Sequence, residues 1–306
     1  MSDAATRVRQ RLARYADGVH HVQAPQAVLD SALPGGLRAV WHAFDGGELF
    51  HGALVLVPSR EAVADGTRWM VGEVEGDDLA VDRDTGAVWR LEQDTDEWVE
   101  EGTALDRWLL GWVLGQSVLI DDEGEFRDGV FDEEGELLPA AAVRVEEEIL
   151  HRDKGAPAPR WRLARALVCD DQLSRARDEL EELVSRRPGF SWAWFDMARI
   201  AERLDDLPAA AGDMREAATA VPAYEHAPFF WAHVARLAAA IDDEAARTEA
   251  ADRALSRAPE LVTIHREAAA QSLEEGELGA AREHVALARA LAPRDVAVLE
   301  LALRIG

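Results

Sequence analysis

Apolar and small residues recur in the C-terminal half of the chain with a period close to 34 residues. A proline closes each period, and Pro188, Pro222, Pro259 and Pro293 are 34, 37 and 34 residues apart. Each period contains two stretches with apolar residues at helical spacing, which predicts an array of repeated helical hairpins. Arrays of this kind generally provide binding surfaces and seldom catalyse reactions.

Small residues recur within the period where the two helices of a hairpin must approach closely. With each proline counted as position 32, position 8 holds Ala164, Ala198, Ala235 and Ala269. Positions 20 and 27 hold Ala176, Ala210 and Ala281, and Leu183, Ala217, Ala254 and Ala288. This pattern resembles the tetratricopeptide repeat, and the resemblance implies four units plus a closing helix over residues 296–304. An unrelated alanine-rich helical bundle is the alternative.

Residues 1–118 show a different pattern, with helical stretches at both ends and short apolar runs between them. A first helix carries apolar residues from Val8 to Val19, two short helical pieces are divided at Leu33-Pro34, and a final helix spans residues 104–114. Strands are predicted over residues 53–57, 69–74, 79–82 and 88–91, because turn residues separate these runs. The pattern predicts an α+β domain with a mostly antiparallel sheet.

Three turn and cap motifs in this region carry a second resemblance. They are Leu33-Pro34 before a helix, the Asp45-Gly46-Gly47 turn, and Gly76-Asp77 with Gly86 around a strand. In this order the region resembles the SUKH superfamily, whose founding members include yeast cell-wall regulators and whose bacterial members are mostly immunity proteins against polymorphic toxins. None of the motifs is catalytic, so the resemblance supports an architecture better than an activity.

An acidic segment with two similar glycine turns separates the two patterns. A calcium loop is excluded by spacing, because placing Gly124, Gly129 or Gly135 at the invariant glycine puts Leu119, Gly124 or Val130 at the first ligand position. We therefore expect a SUKH-like α+β domain over residues 1–118, an acidic hairpin linker over 119–140, and an all-α superhelix of tetratricopeptide type over 141–306.

Charge is unevenly distributed along the chain, whose net charge is −26. Residues 73–148 hold 25 acidic residues against five arginines, a balance of −20, whereas residues 151–306 hold 27 acids against 21 bases, a balance of −6. This acidity argues against nucleic acid as a ligand and suits a basic protein partner of the N-terminal domain. A solvated surface without a partner is the alternative.

The chain contains no motif that indicates chemistry. It has no phosphate-binding loop, no dinucleotide fingerprint, no nucleophile elbow and no zinc-protease motif, so we expect no enzymatic activity, no cofactor and no metal. The nine histidines are scattered, and the one cysteine, Cys169, is expected to be a buried, inert thiol. No long apolar run is present, so we expect neither a signal peptide nor a membrane span, and a cytoplasmic location.

The resemblance to tetratricopeptide repeats implies a ligand groove lined by the first helix of each unit. Position 9 of that helix is arginine in three successive units, and aromatic residues lie near it. The implied groove residues are Trp161, Arg162, Arg165, Trp192, Phe195, Arg199, Arg203, Phe229, His233, Arg236 and Arg266. Arginine binds carboxylates in bidentate fashion, so an acidic peptide is the expected ligand. Alternatively, the arginines pair with Asp196, Glu202 and Glu267 of the same helices.

These patterns together predict a non-enzymatic protein–protein interaction protein, with an immunity or adaptor role as the favoured function. A regulatory scaffold in signalling, with no toxin involved, is the first alternative, and an unrecognised enzyme is the second. The acidic linker is itself a candidate ligand for the groove in cis.

Overall fold

The structure, a computed structural model, describes residues 3–25, 29–92 and 97–305. The chain divides into two compact units, Met1–Glu179 and Leu180–Gly306. A β-sheet with covering helices dominates the first unit, and helices form the second. The predicted fold class, an α+β region followed by an all-α region, is confirmed.

Strands of the first unit form one antiparallel sheet. Within the described residues they are β1 (His20–Val22), β2 (Gly47–Leu49), β3 (Leu54–Leu56), β4 (Val63–Asp65), β5 (Arg68–Val74), β6 (Asp77–Asp82), β7 (Val88–Glu92) and β8 (Glu97–Gly102). The order is β1-β2-β3-β5-β6-β7-β8, and β4 pairs with β5 beside this path. The four predicted strands are present as β3, β5, β6 and β7, whereas β1, β2, β4 and β8 are additional to the prediction.

The Asp45-Gly46-Gly47 turn fixes the entry into β2. Gly46 and Gly47 have φ values of 84° and 147°, which side chains rarely tolerate. A Cβ at Gly47 would lie 2.3 Å from the carbonyl oxygen of His21 on β1. The Asp45 carboxylate accepts a hydrogen bond from the backbone N–H of Ser59 at 2.9 Å. The turn therefore needs this sequence for steric reasons.

Three helices pack with the sheet: α1 (Asp3–Leu12), α2 (Gly35–Ala43) and α3 (Leu105–Leu119). Trp41 and Trp108 are buried, and their indole N–H groups donate to Val57 O at 3.1 Å and to Glu101 Oε2 at 3.4 Å. Burial of these large rings is possible because their polar atoms find partners.

The helix bounds differ from the prediction at three places. The first helix ends at Leu12, so Tyr15 and Val19 are buried from a loop rather than from a helix. The predicted helical piece before Leu33-Pro34 is only a turn, in which the Leu33 N–H donates to the Asp30 carbonyl oxygen at 3.3 Å, and residues 26–28 lie outside the described residues. The last helix of this region, α3, runs to Leu119 instead of ending at residue 114.

The acidic segment between the two sequence patterns contains two turns of the same design. Asp121 Oδ1 accepts the backbone N–H groups of Glu123 and Glu125, both at 3.0 Å. Asp132 Oδ1 makes the equivalent contacts one turn later, at 3.0 and 2.8 Å. Each turn is closed by a single antiparallel bridge, Ile120 with Phe126 and Phe131 with Leu137.

Helices make up the rest of the chain. They are α4 (Pro139–Arg152), α5 (Pro157–Cys169), α6 (Leu173–Arg186), α7 (Ser191–Arg203), α8 (Leu207–Ala220), α9 (Ala227–Ala240), α10 (Glu244–Leu255), α11 (Leu261–Glu275), α12 (Leu278–Leu291) and α13 (Val296–Ile305). The eight repeat helices and the closing helix are thus present, and α4 is additional to the prediction. Among the described residues, no helix combines the length and apolar character needed to cross a bilayer.

Helix pairs α7–α8, α9–α10 and α11–α12 pack as hairpins, and α8 also packs against α9. The alanines at position 8 of the period, Ala164, Ala198, Ala235 and Ala269, are all completely buried. So are Ala176, Ala210 and Ala281 at position 20. A helical region of tetratricopeptide type follows from these hairpins and their small contact residues.

The fourth hairpin departs from regular stacking. The second helix of this hairpin, α12, packs against both α9 and α10, whereas the first helix, α11, packs mainly against α12 and α13. Leu287 and Leu291 of α12 are buried in the same apolar cluster as Phe230 of α9. In a regular array the first helix of a unit would make these contacts, so the last hairpin is reversed relative to the others.

Packing divides the chain at a different point from the sequence repeat. The division falls within α6, because α4 packs against α3 and α5 packs against both α4 and β8. The predicted boundaries at residues 118 and 140 follow changes in sequence pattern and composition, and they remain predictions.

Replacing Ala198 with leucine should overpack the α7–α8 hairpin, since Ala198 is completely buried. We expect a loss of about 1–3 kcal/mol in the free energy of unfolding, measured by urea denaturation. Leucine at Ala239, an exposed position on α9, is the matched control. Equal effects of the two changes would contradict the assigned register.

Candidate functional site

Predicted groove residues of the second unit lie on two helices. Trp192, Phe195 and Arg199 occupy positions i, i+3 and i+7 of α7, and Phe229, His233 and Arg236 occupy i, i+4 and i+7 of α9. We call this surface the α7–α9 face, defined by these six residues. Residues at such spacing share one side of a helix, so the two stripes place aromatic groups at the N-terminal ends and arginines further along.

Ring contacts join the two helices at the N-terminal half of the α7–α9 face. The ring centroids of Phe195 and Phe229 are 5.7 Å apart, those of Trp192 and Phe195 are 5.6 Å apart, and those of Phe229 and His233 are 4.6 Å apart. Trp192, Phe195 and Phe229 are each half-buried. They present a rigid aromatic surface, which is the kind of surface that anchors protein partners.

The long connection between α8 and α9 completes this aromatic surface. The 37-residue spacing from Pro222 to Pro259 includes extra residues here, and Tyr224 of this connection accepts a hydrogen bond from Trp192 Nε1 at 2.9 Å. Arg257 donates to the carbonyl oxygens of Pro222 and Tyr224 at 2.9 and 3.0 Å. The sequence repeat gave no signal for Tyr224, because it lies in the insertion that interrupts the period.

Arginines of the face are held by carboxylates. Arg199 contacts Glu283 of α12 through two atom pairs, Nη1 to Oε1 at 2.7 Å and Nη2 to Oε2 at 3.4 Å. Glu202 lies between the two arginines, 3.2 Å from Arg199 Nη1 and 2.7 Å from Arg236 Nη2. Arg236 and Glu202 are close enough to form an ion pair, although the N–H groups of Arg236 do not point at the Glu202 oxygen. Pairing with Glu202 was one of the sequence alternatives, whereas Glu283 was not foreseen.

Histidines of three helices meet where α12 packs. His233 is 3% exposed, and burial, together with the charges of Arg236 and Arg199, holds its pKa well below the ordinary value. His265 of α11 and His284 of α12 approach with their Nδ1 atoms 3.2 Å apart. Burial, and then the neighbouring His284, lower the pKa of His265 to about 4. His233 and His265 are therefore neutral at pH 7.

Residues predicted on α5 belong to the first unit and have contacts of their own. Arg162 binds Glu101 at 2.6 and 3.0 Å and Glu146 at 2.7 Å, so its guanidinium ties α5 to β8 and α4 instead of facing a ligand. Burial disfavours the charged forms of Glu101 and Arg162. The guanidinium of Arg162 nevertheless lowers the pKa of Glu101, and the carboxylates of Glu101 and Glu146 raise the pKa of Arg162. Arg165 is exposed and lies over the Trp161 ring, 5.1 Å from its centroid.

Two other arginines complete the comparison with the predicted groove. Arg203 is exposed at the end of α7, and Arg266 is half-buried on α11.

Cys169 is exposed, so the expectation of a buried thiol is wrong. It is the last residue of α5, and its thiol therefore lies at the end of the helix rather than in the core.

Comparisons with known proteins bear on the helical region. No protein-family model matches the chain, and no curated protein sequence matches it. The chain is similar to the solved structure of MamA from Desulfovibrio magneticus RS-1, with 18% identity, 52% of this chain and 88% of that chain covered, and a TM-score of 0.35.

Two further solved structures are TPR proteins. TTC0263 of Thermus thermophilus has 21% identity, with 55% of this chain and 88% of that chain covered at a TM-score of 0.35. YrrB, a TPR protein with an unusual peptide-binding site, has 14% identity, with 54% and 93% covered at 0.36. The assignment of the helical region to the tetratricopeptide type rests on the packed hairpins and buried alanines of this chain.

Replacing Arg162 with leucine should destabilise the first unit, because Glu101 is only 2% exposed and would keep a buried, unpaired charge. Breaking a buried pair in this way costs about 3–5 kcal/mol. Chemical denaturation measures the change, and Arg165→Leu at an exposed position is the control, expected to cost less than about 1 kcal/mol. Similar losses in both variants would refute the importance of this pair.

Acid should weaken the packing of the fourth hairpin. In the unfolded chain His265 takes up a proton near its ordinary pKa of 6.5, whereas in the folded chain it does so only near pH 4. Neutral His265 therefore contributes its full stabilisation of the fold above pH 6.5, and this stabilisation is lost as the pH falls towards 4. The groups facing His265 are His284 and Glu283 of α12 and His233 of α9.

The melting temperature of the wild type should therefore fall more steeply between pH 6.5 and 4 than that of His265→Gln. His20, whose pKa is also lowered to about 4, contributes equally to both proteins and cancels in the comparison. His151→Gln, at an exposed histidine, should keep the wild-type slope. Parallel curves for the wild type and His265→Gln would rule out this coupling.

Proposed function

We propose that the chain is a non-enzymatic protein–protein interaction protein whose α7–α9 face binds a segment of a partner protein. The observation that carries this proposal is the half-buried aromatic surface of Trp192, Phe195 and Phe229, beside Arg199. Aromatic residues and arginine dominate the binding energy of protein interfaces, because they combine a large apolar contact with directed hydrogen bonds. A helical array of tetratricopeptide type is a fold that supports this use.

Chemistry of the face favours an acidic peptide segment as the ligand. The apolar rings would take up apolar side chains, and the guanidinium group of Arg199, which is 40% exposed, would bind a carboxylate. An exposed ion pair contributes only about 0–1 kcal/mol, so the aromatic residues must provide most of the affinity. Arg162 is left out of this proposal, since Glu101 and Glu146 already bind it.

Within this class, an immunity or adaptor role suits the N-terminal region best. Its motifs resemble those of the SUKH superfamily, and the balance of −20 over residues 73–148 favours a basic partner through electrostatic steering. A regulatory scaffold is the second candidate, and the repeat-like helical hairpins alone would serve it equally well. The identity of the bound protein separates the two, because a basic toxin would support immunity and a signalling protein would support the scaffold.

Alanine at both Phe195 and Phe229 should abolish binding by the second unit while leaving the first unit intact. Losing two aromatic anchors at about 2 kcal/mol each reduces affinity by roughly a thousandfold. Partners captured from cells that naturally express the protein are compared by quantitative mass spectrometry, and the affinity of each is then measured by calorimetry.

Phe126→Ala is the matched control, because Phe126 is an aromatic residue that is 65% exposed elsewhere in the chain. Circular dichroism of all variants shows whether the helices remain folded. If the double variant retains every partner of the wild type, the binding surface lies outside the α7–α9 face.

A further inference from the structure

The reversed fourth hairpin covers part of the α7–α9 face. α12 packs against α9, and its Glu283 reaches Arg199 on α7. His233 is 3% exposed, whereas Trp192, Phe195 and Phe229 are half-buried. The arginine half of the face is therefore occupied by the chain itself, and the aromatic half is accessible.

The contacts of α12 are those of a helical ligand in a groove. Glu283, Leu287 and Leu291 follow one another at intervals of four residues, which aligns them along one stripe of the helix. The carboxylate binds Arg199, and both leucines are buried in the apolar cluster of α7 to α10. At the other end of α12, Arg247 of α10 donates to the carbonyl oxygen of Ala290 at 2.9 Å. Amphipathic helices bind grooves through this combination of spaced apolar anchors and a fixed end.

Two features indicate that this contact can open. The helices α11 to α13 share an apolar cluster of their own, with Ala269, Ala281, Val285 and Leu301, so this part of their packing does not depend on the contact with α7 to α10. The contact also buries polar atoms that lack hydrogen-bond partners among the described residues: Nδ1 of His233, Nε2 of His265 and Nε of Arg236. Each unsatisfied group reduces stability, which makes this interface weaker than an apolar one of equal size.

We propose that α12 is an intramolecular occupant of the α7–α9 face and that the partner is an amphipathic helix carrying an acidic residue followed by leucines four and eight residues later. The partner helix first contacts the exposed aromatic half and then replaces Glu283 at Arg199. The inference rests on the proposed function of the same face and adds the class of partner and the competition in cis.

A peptide of residues 277–292, which reproduces α12, is the probe for this competition. It is added to the full-length chain, and its affinity is measured by fluorescence anisotropy. Glu283→Gln in the chain weakens the internal competitor, so the peptide should bind about two- to fivefold more tightly, the factor expected for a partly exposed ion pair. The same substitution in the peptide should weaken binding to the unchanged chain by a similar factor. Arg282→Gln, at an exposed position of α12, should change neither affinity.

A covalent lock gives the decisive comparison. In a Cys169→Ser background, Arg199→Cys and Glu283→Cys are joined by a short bismaleimide, which holds α12 in place. The locked protein should lose peptide binding. The same double variant without the linker lacks the Arg199 contact, so it should bind the peptide more weakly than the wild type but still measurably, through the apolar contacts of the peptide leucines. Peptide binding that is equal in the two forms would overturn the proposal.

The outcomes also separate this inference from the proposed function. If Phe195→Ala with Phe229→Ala abolishes partner binding but the lock and Glu283→Gln have no effect, the face binds partners and α12 does not compete. If the aromatic substitutions have no effect on partner or peptide binding, the proposed function fails and the inference fails with it.

Discussion

Close approach of paired helices at alanine is the constraint on which the helical region depends. Ala198, Ala235 and Ala269 have no exposed surface, and a side chain of any length at these positions would separate the two helices of a hairpin. The aromatic residues Trp192 and Phe229 lie on the same helices and are only half-buried. The alanines thus set the spacing of the helices, and the aromatic residues remain partly accessible.

Two arginines that were predicted for the groove have different surroundings. Arg162 is enclosed by Glu101 and Glu146 and joins elements of the first unit, so it acts as a structural ion pair. Arg199 is bound by Glu283 at the surface of α12, where both side chains remain about two-fifths exposed. Solvent screens the second contact and not the first, so only the second can exchange one carboxylate for another at low energetic cost.

The sequence pattern predicted those features that depend on local periodicity. The eight repeat helices, α13 and the strands β3, β5, β6 and β7 were accessible because each shows a clear helical or alternating pattern. The strands β1, β2 and β4 have three residues each, as β3 has, but they lack its continuous apolar run of Leu54, Val55 and Leu56, so no pattern in the sequence marks them. Similarly, Phe195 and Arg199 were found from the repeat, whereas Glu283 is brought to Arg199 by a reversal of the last hairpin that no local pattern records.

The insertion between α8 and α9 makes the repeats unequal. Arg257 fixes the path of this connection through two carbonyl oxygens, so its length is tied to the end of α10. Repeat arrays usually grow by copying whole units. This requires that the last residue of each unit lie at the position from which the first helix of the next unit can start. A copy of the third unit would carry its own long connection and displace the following hairpin, so an array of this kind can be lengthened between its regular units but not after Pro222.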